Sequence, residues 1–341
     1  MKDSKMPIDT YRRKQEQHVA IHFSLRSFLI GIGVGMTLTT MTQAQTLAPS
    51  AIPTDVAAQL KALGRVVNPP ATAAIYAPRA LDKEPYQGAR VQRDIAYGTD
   101  PRNLLDVFTP TTASTAPRRV FVFVHGGGFT RGDRRAPGSP FYDNVMMWAA
   151  KNNMIGVNMT YRLAPKDVYP SGAADIGKAL GWVYKNIAAR GGDASQVFLM
   201  GQSAGAVHVA SYVADEKLHP VASPSLKGAL MLSGLFSVTP NLIAAEPPVK
   251  VYFGEDASKF AERSALVGLL KTRTPLWVAY SELDPPAFEL QADILHHALC
   301  TAGRCPAFIR FAGHSHMSEI YSINSDDPTI GNAMWDFVKA N

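Results

Sequence analysis

Between residues 120 and 311 the chain alternates between two hydrophobic periods. Short apolar runs appear as VFVFV at 120–124, MIGVNM at 154–159, VFLM at 197–200, ALMLSG at 229–234, LWVAY at 276–280 and FIRF at 308–311. Several are uninterrupted, as strands buried on both faces require. The intervening stretches read as helices. In AADIGKALGWVYKNIAARGG, Ile176, Leu180, Val183, Tyr184 and Ile187 recur at three- and four-residue steps, and Gly191-Gly192 ends the pattern. Strand–helix alternation of this kind predicts an α/β fold, with a mostly parallel central sheet and helices on both faces. Ligands of such sheets bind beyond the carboxyl ends of the strands, so the chemistry is sought there.

The first 44 residues read differently. A polar, basic start running through Arg26 precedes the uncharged FLIGIGVGMTLTTM, and TQA then offers small residues for cleavage after Ala44. Residues 1–44 are therefore expected to be a signal peptide, and the protein periplasmic or secreted. A retained N-terminal anchor is the competing reading, but the apolar run is short for a span, so no stable membrane span is expected after cleavage. The formal charge of +6 owes much to this segment, which holds six Lys/Arg and three Asp/Glu; without it the charge is 6 − (6 − 3) = +3. The rest shows no Lys/Arg-rich block, so nucleic acid is not an expected partner. Cys300 and Cys305 form an even pair at short spacing, which in an exported chain reads as a disulfide. No second cysteine pair completes a zinc site, and no metal is expected.

Residues 45–87 are expected to be an N-terminal extension. It comprises a flexible lead over 45–53, a short helix in TDVAAQLKALGRVV with Thr54 as N-cap, and a Pro-rich connector, NPPATAAIYAPRA. Residues 88–341 are expected to form the catalytic domain, on the motifs that follow.

VFLMGQSAGAVHVASYV sets Gly201-Gln202-Ser203-Ala204-Gly205 directly after a strand and directly before a helix. This G-x-S-x-G turn exposes Ser203 above the sheet edge as a nucleophile. Earlier, VFVFVHGGGF ends a strand in His125-Gly126-Gly127-Gly128. Backbone N–H groups of Gly127 and Gly128, with that of Ala204, can form an oxyanion hole. His125 is expected to hold the shape of that loop. A serine hydroxyl needs a histidine base, and the histidine a carboxylate to orient it. In chain order the acid follows the serine and the histidine follows the acid. Asp284, just past LWVAY, is the expected acid, with Glu282 its competitor. AGHSHMSEI then offers His314 and His316. Two residues apart on a strand, they would share a face, a spacing that suits a metal pair or one working base beside a bystander. His316, deeper in the loop, is the expected base. His208, His296 and His297 lie on helical patterns, as packing or solvated residues.

Together these residues resemble the α/β-hydrolase family, in particular its esterase and lipase group related to hormone-sensitive lipase and the bacterial carboxylesterases. The resemblance covers about residues 88–341 and rests on LLDVFTP, HGGGF, YRLAP, YPSGAADI, GGDASQVFLMGQSAGA, SELDPP and GHSH. It implies an α/β-hydrolase fold, a triad of Ser203, Asp284 and His316, and an oxyanion hole of Gly127, Gly128 and Ala204. It implies no cofactor, and a small-molecule ester as partner. The lack of a long, strongly apolar insertion that could serve as a lid, with the room the glycine loop leaves, sets the expectation of short- to medium-chain or aryl esters. Two departures stand out. The acid motif often reads D-P-L, whereas here it is Asp284-Pro285-Pro286. The late histidine is often preceded by Gly or Asp, whereas here Ser315 stands, which keeps His314 a candidate. An arylformamidase-like amide hydrolase and a binding module on the same fold are the rival readings.

Overall fold

The computed structural model describes residues 46–48, 51–220 and 224–341. The expected signal peptide lies outside the described residues. The strands are β1 (Thr46–Ala48), β2 (Ala89–Ala96), β3 (Leu104–Pro110), β4 (Arg118–Val124), β5 (Ile155–Met159), β6 (Gly192–Gln202), β7 (Gly228–Leu232), β8 (Leu276–Leu283) and β9 (Ala307–Ser315). They form one sheet in the order β1-β9-β8-β7-β6-β4-β5-β3-β2. Only β3 runs against its neighbours, pairing antiparallel with both β2 and β5. The other pairings are parallel.

The helices are α1 (Thr54–Leu63), α2 (Pro69–Tyr76), α3 (Asp143–Lys151), α4 (Ser171–Asn186), α5 (Ala204–Ala214), α6 (Pro240–Ala245), α7 (Pro247–Phe253), α8 (Phe260–Arg263), α9 (Leu266–Leu269), α10 (Pro286–Thr301), α11 (Ser318–Tyr321) and α12 (Thr329–Ala340). The run VFVFV shows why they cover both faces. Successive strand residues point to opposite sides. Val120, Val122 and Val124 join a core with Ile176, Leu180 and Val183 of α4, Val209 and Val213 of α5, and Leu295 and Leu299 of α10. Phe121 and Phe123 join a second core with Val145 and Met146 of α3, Ile330 and Met334 of α12, and Val56 and Leu60 of α1. An uninterrupted apolar run is thus the signature of a strand with a core on each side, and each such side chain contributes about 1.5–3 kcal/mol by burial.

Two expectations for the N-terminal extension change. The lead expected to be flexible carries β1, whose Thr46, Leu47 and Ala48 pair in parallel with Ile309, Arg310 and Phe311. The Ala51 N–H then donates to Thr329 Oγ1 at 3.0 Å. The expected connector NPPATAAIY is helix α2. Its prolines fall in the first turn, where backbone N–H groups have no intrahelical acceptor, and Asn68 Oδ1 accepts the Ala71 N–H at 3.2 Å as the cap. The helix in TDVAAQLKALGRVV forms as expected, although Thr54 is its first residue and Pro53 stands at the cap position without a capping bond.

Cys300 and Cys305 are disulfide-bonded, with Cα atoms 4.1 Å apart. Gly303, at φ +71°, permits the reversal between α10 and β9. Closing so small a loop is worth about 2 kcal/mol in the chain-entropy model. The double variant Cys300→Ser/Cys305→Ser should therefore lower the melting temperature while changing kcat little. Denatured, unreduced protein should show no reactive thiol; two reactive thiols would refute the bond.

Candidate active site

The site stands at the carboxyl ends of β4, β6, β8 and β9. β6 ends at Gln202, and α5 begins at Ala204. Ser203 between them adopts φ +57° and ψ −125°, a conformation costing a non-glycine residue on the order of 1–3 kcal/mol. Close packing of α5 onto β4 leaves no room for a side chain at Gly205, where a Cβ would come within 2.1 Å of the Val124 carbonyl oxygen. The glycine of the motif is thus a packing requirement, and the serine is pushed outward as a result. Ser203 is half-buried, whereas His316 and Asp284 are buried.

His316 Nε2 lies 2.8 Å from Ser203 Oγ. His316 Nδ1–H donates to Asp284 Oδ1 at 2.8 Å, so Nε2 is the unprotonated nitrogen that can take the serine proton. Asp284 Oδ2 accepts the Ser281 N–H at 2.8 Å, with Ser233 Oγ 2.6 Å away. Phe288 of α10 covers the imidazole, its ring centroid 4.4 Å from that of His316.

The two competitors left open by the sequence have other partners. Glu282 Oε2 accepts the Gly313 N–H at 2.8 Å, and Oε1 meets Arg310 at 3.0 Å. The Gly313 N–H, with Arg310, holds its carboxyl below the usual range, and it ties β8 to β9. His314 and His316 do not share a face, because β9 ends at Ser315 and the chain turns before His316. His314 Nδ1 faces Ser318 Oγ at 3.2 Å, and its Nε2 stands 3.5 Å from Asp327 Oδ2. Among the described residues, one group of His, Cys, Asp or Glu has ligand atoms close enough for an ion: Asp284, His316 and Glu319, within 4.8 Å. Its Asp284 and His316 already bond to each other.

The glycine loop lies beside Ser203. Gly127 takes φ +130°, and a Cβ there would come within 2.1 Å of the Arg131 carbonyl oxygen. The loop closes through the Arg131 N–H, which donates to Gly127 O at 3.2 Å. As the first residue of α5, Ala204 has no intrahelical acceptor for its N–H. His125 holds the loop as expected: Nδ1–H donates to Gly126 O at 2.6 Å, and Tyr161 stacks on the ring at 4.4 Å. The YRLAP and YPSGAADI stretches also brace each other, since Arg162 Nε donates to buried Asp175 Oδ2 at 2.9 Å.

An apolar cluster adjoins the serine turn through Ala204. Phe129, Ala204, Leu235, Val238, Leu242 and Phe288 share one cluster. α7 lies over the glycine loop, with Pro248 Cβ 3.3 Å from where a Cβ at Gly128 would stand. Glu246, where α6 meets α7, is half-buried, and burial raises its carboxyl pKa. Sequence reasoning did not single out Arg65, Gln202, Ser233, Ser281 or Glu319. Arg65 Nε donates to the Asp284 carbonyl oxygen at 2.6 Å and so reaches the acid loop from the N-terminal extension. A carboxylate three residues after His316 was a visible signal for Glu319. Nothing local marked the others.

Residues 103–252 match the carboxylesterase family. Isoprenylcysteine alpha-carbonyl methylesterase ICME of Arabidopsis thaliana is 36% identical over 139 residues, 41% of this chain and 30% of the relative. Esterase LipQ of Mycobacterium tuberculosis is 30% identical over 216 residues, 59% of this chain and 48% of the relative. The chain thus spans less than half the length of either. Esterase B from Lactobacillus rhamnosis is a solved structure with a TM-score of 0.66 at 17% identity, covering 84% of this chain and 94% of that one. The chain has the α/β-hydrolase fold. Its similarity to the carboxylesterase family extends over residues 103–252, less than half of the chain.

Buried histidines make the protein's stability pH-dependent. Burial is the main cause that lowers the pKa of His125 and His314 to about 4 and that of His208 to about 3. His208 packs among Tyr161, Tyr252 and Phe129. Free histidine titrates near 6.5, so below that pH the unfolded chain binds protons that the native state does not. Stability is full above about pH 6.5 and falls as pH drops, by up to about 1.4 kcal/mol per pH unit per histidine. Urea midpoints measured between about pH 7.5 and about pH 5 should decline steadily. A flat profile would mean that these rings charge in place.

Proposed function

We propose that this chain is an exported serine esterase that hydrolyses carboxylic esters through an acyl-enzyme. The observation that carries this reading is the chain of contacts from Ser203 Oγ through His316 to Asp284, 2.8 Å at each step. Ser203 Oγ attacks the ester carbonyl as His316 Nε2 takes its proton. The backbone N–H groups of Gly127, Gly128 and Ala204 hold the oxyanion. His316 gives the proton to the departing alkoxide, which leaves as the alcohol. Asp284 stabilises the imidazolium between these steps. Water, deprotonated by His316, then attacks the acyl-enzyme and releases the acid and free serine. The match to the carboxylesterase family supports an ester as substrate. Export rests on the sequence of residues 1–44 alone.

The proposed substrates are short- to medium-chain acyl or aryl esters. Support comes from the close seating of Pro248 against the glycine loop and from Phe288, which packs on His316 and belongs to the apolar cluster that Ala204 joins. Hydrolysis of a soluble butyrate ester should outpace that of an emulsified long-chain triglyceride, and the reverse order would overturn this preference. A fluorophosphonate probe should label Ser203. Folded protein that stays unlabelled and turns over no ester would overturn the esterase reading itself.

A further inference from the structure

Glu319, in the first turn of α11, is fully buried behind the triad and does not touch Ser203. Three strand ends converge on it. From β6, Gln202 Nε2 donates to Glu319 Oε1 at 3.1 Å and to the His316 carbonyl oxygen at 2.9 Å. From β8, Ser281 Oγ lies 2.6 Å from Glu319 Oε2. After β7, Ser233 Oγ lies 2.7 Å from the same Oε2 and 2.6 Å from Asp284 Oδ2. The titratable groups facing it are Asp284, past β8, and His316, past β9.

These contacts can be counted in hydrogens. Three oxygen–oxygen contacts join two serine hydroxyls to two carboxyl groups, and each needs one hydrogen. The hydroxyls supply two. If both carboxyls were ionised, Ser233 would face two carboxylate oxygens with one hydrogen, leaving one short contact between bare lone pairs in a buried site. A proton on Glu319 Oε2 completes the set. Glu319 then donates to Ser233 Oγ, Ser233 donates to Asp284 Oδ2, and Ser281 donates to Glu319 Oε2. Oε1, the carbonyl oxygen of the acid, is the atom that accepts from Gln202.

We propose that Glu319 is a positioning residue, protonated at neutral pH, that passes a hydrogen bond through Ser233 to Asp284 and so leaves Asp284 the carboxylate bonded to His316. Burial and the negative charge of Asp284 both push the Glu319 carboxyl well above the usual carboxylate range. With Oδ2 held by Ser233 and by the Ser281 N–H, the Asp284 carboxylate cannot rotate, and Oδ1 stays on His316 Nδ1. A second anion at Glu319 would instead repel Asp284 and compete with it for the positive charge on His316.

Protonation is tested by infrared difference spectra in D2O near about pH 8, where free carboxyls are ionised. Wild type minus Glu319→Gln should show the carbonyl band of a protonated carboxyl, and its absence would overturn the proposal. Should Glu319→Gln fail to fold, wild type minus Ser233→Ala carries the same test, because losing its acceptor must shift the band. This measurement does not depend on ester hydrolysis. The positioning role does rest on that reading. Glu319→Ala should lower kcat about ten- to a hundredfold with KM nearly unchanged, as expected when a reacting group loses its orientation. Glu319→Gln, which keeps a donor toward Ser233, should recover most of that loss and leave the acid limb of the kcat/KM profile in place. If Glu319→Gln instead moves that limb down by about half a unit or more, Glu319 carries a charge in the native enzyme and the proposal fails. A wild type without esterase activity would sink the proposed function while leaving the infrared result intact.

Discussion

Ser203→Ala should lower kcat on a soluble ester by about 10⁴- to 10⁶-fold, the range typical of removing the nucleophile from a serine triad. Folding should survive. The substitution removes one hydroxyl from a half-buried position. The contact it loses is the 2.8 Å one to His316. The backbone bond that seats the turn, from the Ser203 N–H to the Leu232 carbonyl oxygen at 2.9 Å, does not involve the side chain. Alanine carries the same strain at φ +57° as serine, so no strain is relieved either. Burst-free kinetics with an unchanged urea midpoint would meet the expectation. A variant that keeps more than a few percent of the wild-type rate would require another nucleophile.

His316→Ala should match that loss, because a nucleophile without its base is nearly as inactive as no nucleophile. His314→Ala should cost kcat far less. Its Nε2 faces Asp327 and its Nδ1 faces Ser318, with no contact to Ser203 or Asp284. Both rings are buried, so each substitution leaves a cavity and lowers stability by about 1–3 kcal/mol. The midpoint thus falls for both variants, and the rate collapses for one. Comparing kcat at a temperature where both remain folded separates the two effects. The opposite ranking would move the base to His314.

The spacing of AGHSHMSEI could not choose between these histidines, because the choice depends on where a strand stops. Had β9 continued through residue 316, both rings would lie on one face, as a metal pair needs. It ends at Ser315, and the turn into α11 sends the two rings apart. Similarly, Glu282 and Asp284 read alike as acids at a strand end. A neighbouring strand separates them, since the Gly313 N–H captures Glu282.

Sequence by itself determined the alternation of strands and helices, the burial of VFVFV on both faces, the sharp turn at Ser203 and the glycine loop at Gly127. Each is written in contiguous residues, because hydrophobic period and glycine placement act over a few positions. Tertiary structure alone decided the rest. It made a sheet edge of the lead at Thr46–Ala48 and a helix of the Pro-rich stretch, whose prolines happen to occupy its first turn. It brought Arg65 to the acid loop and Pro248 over the glycine loop. It also gathered Gln202, Ser233 and Ser281 from separate strand ends around the buried Glu319 carboxyl. These residues stand roughly 30 to 50 positions apart, and their types are ordinary. Only the parallel register of the sheet, which aligns the carboxyl ends of β6, β7, β8 and β9, turns them into neighbours.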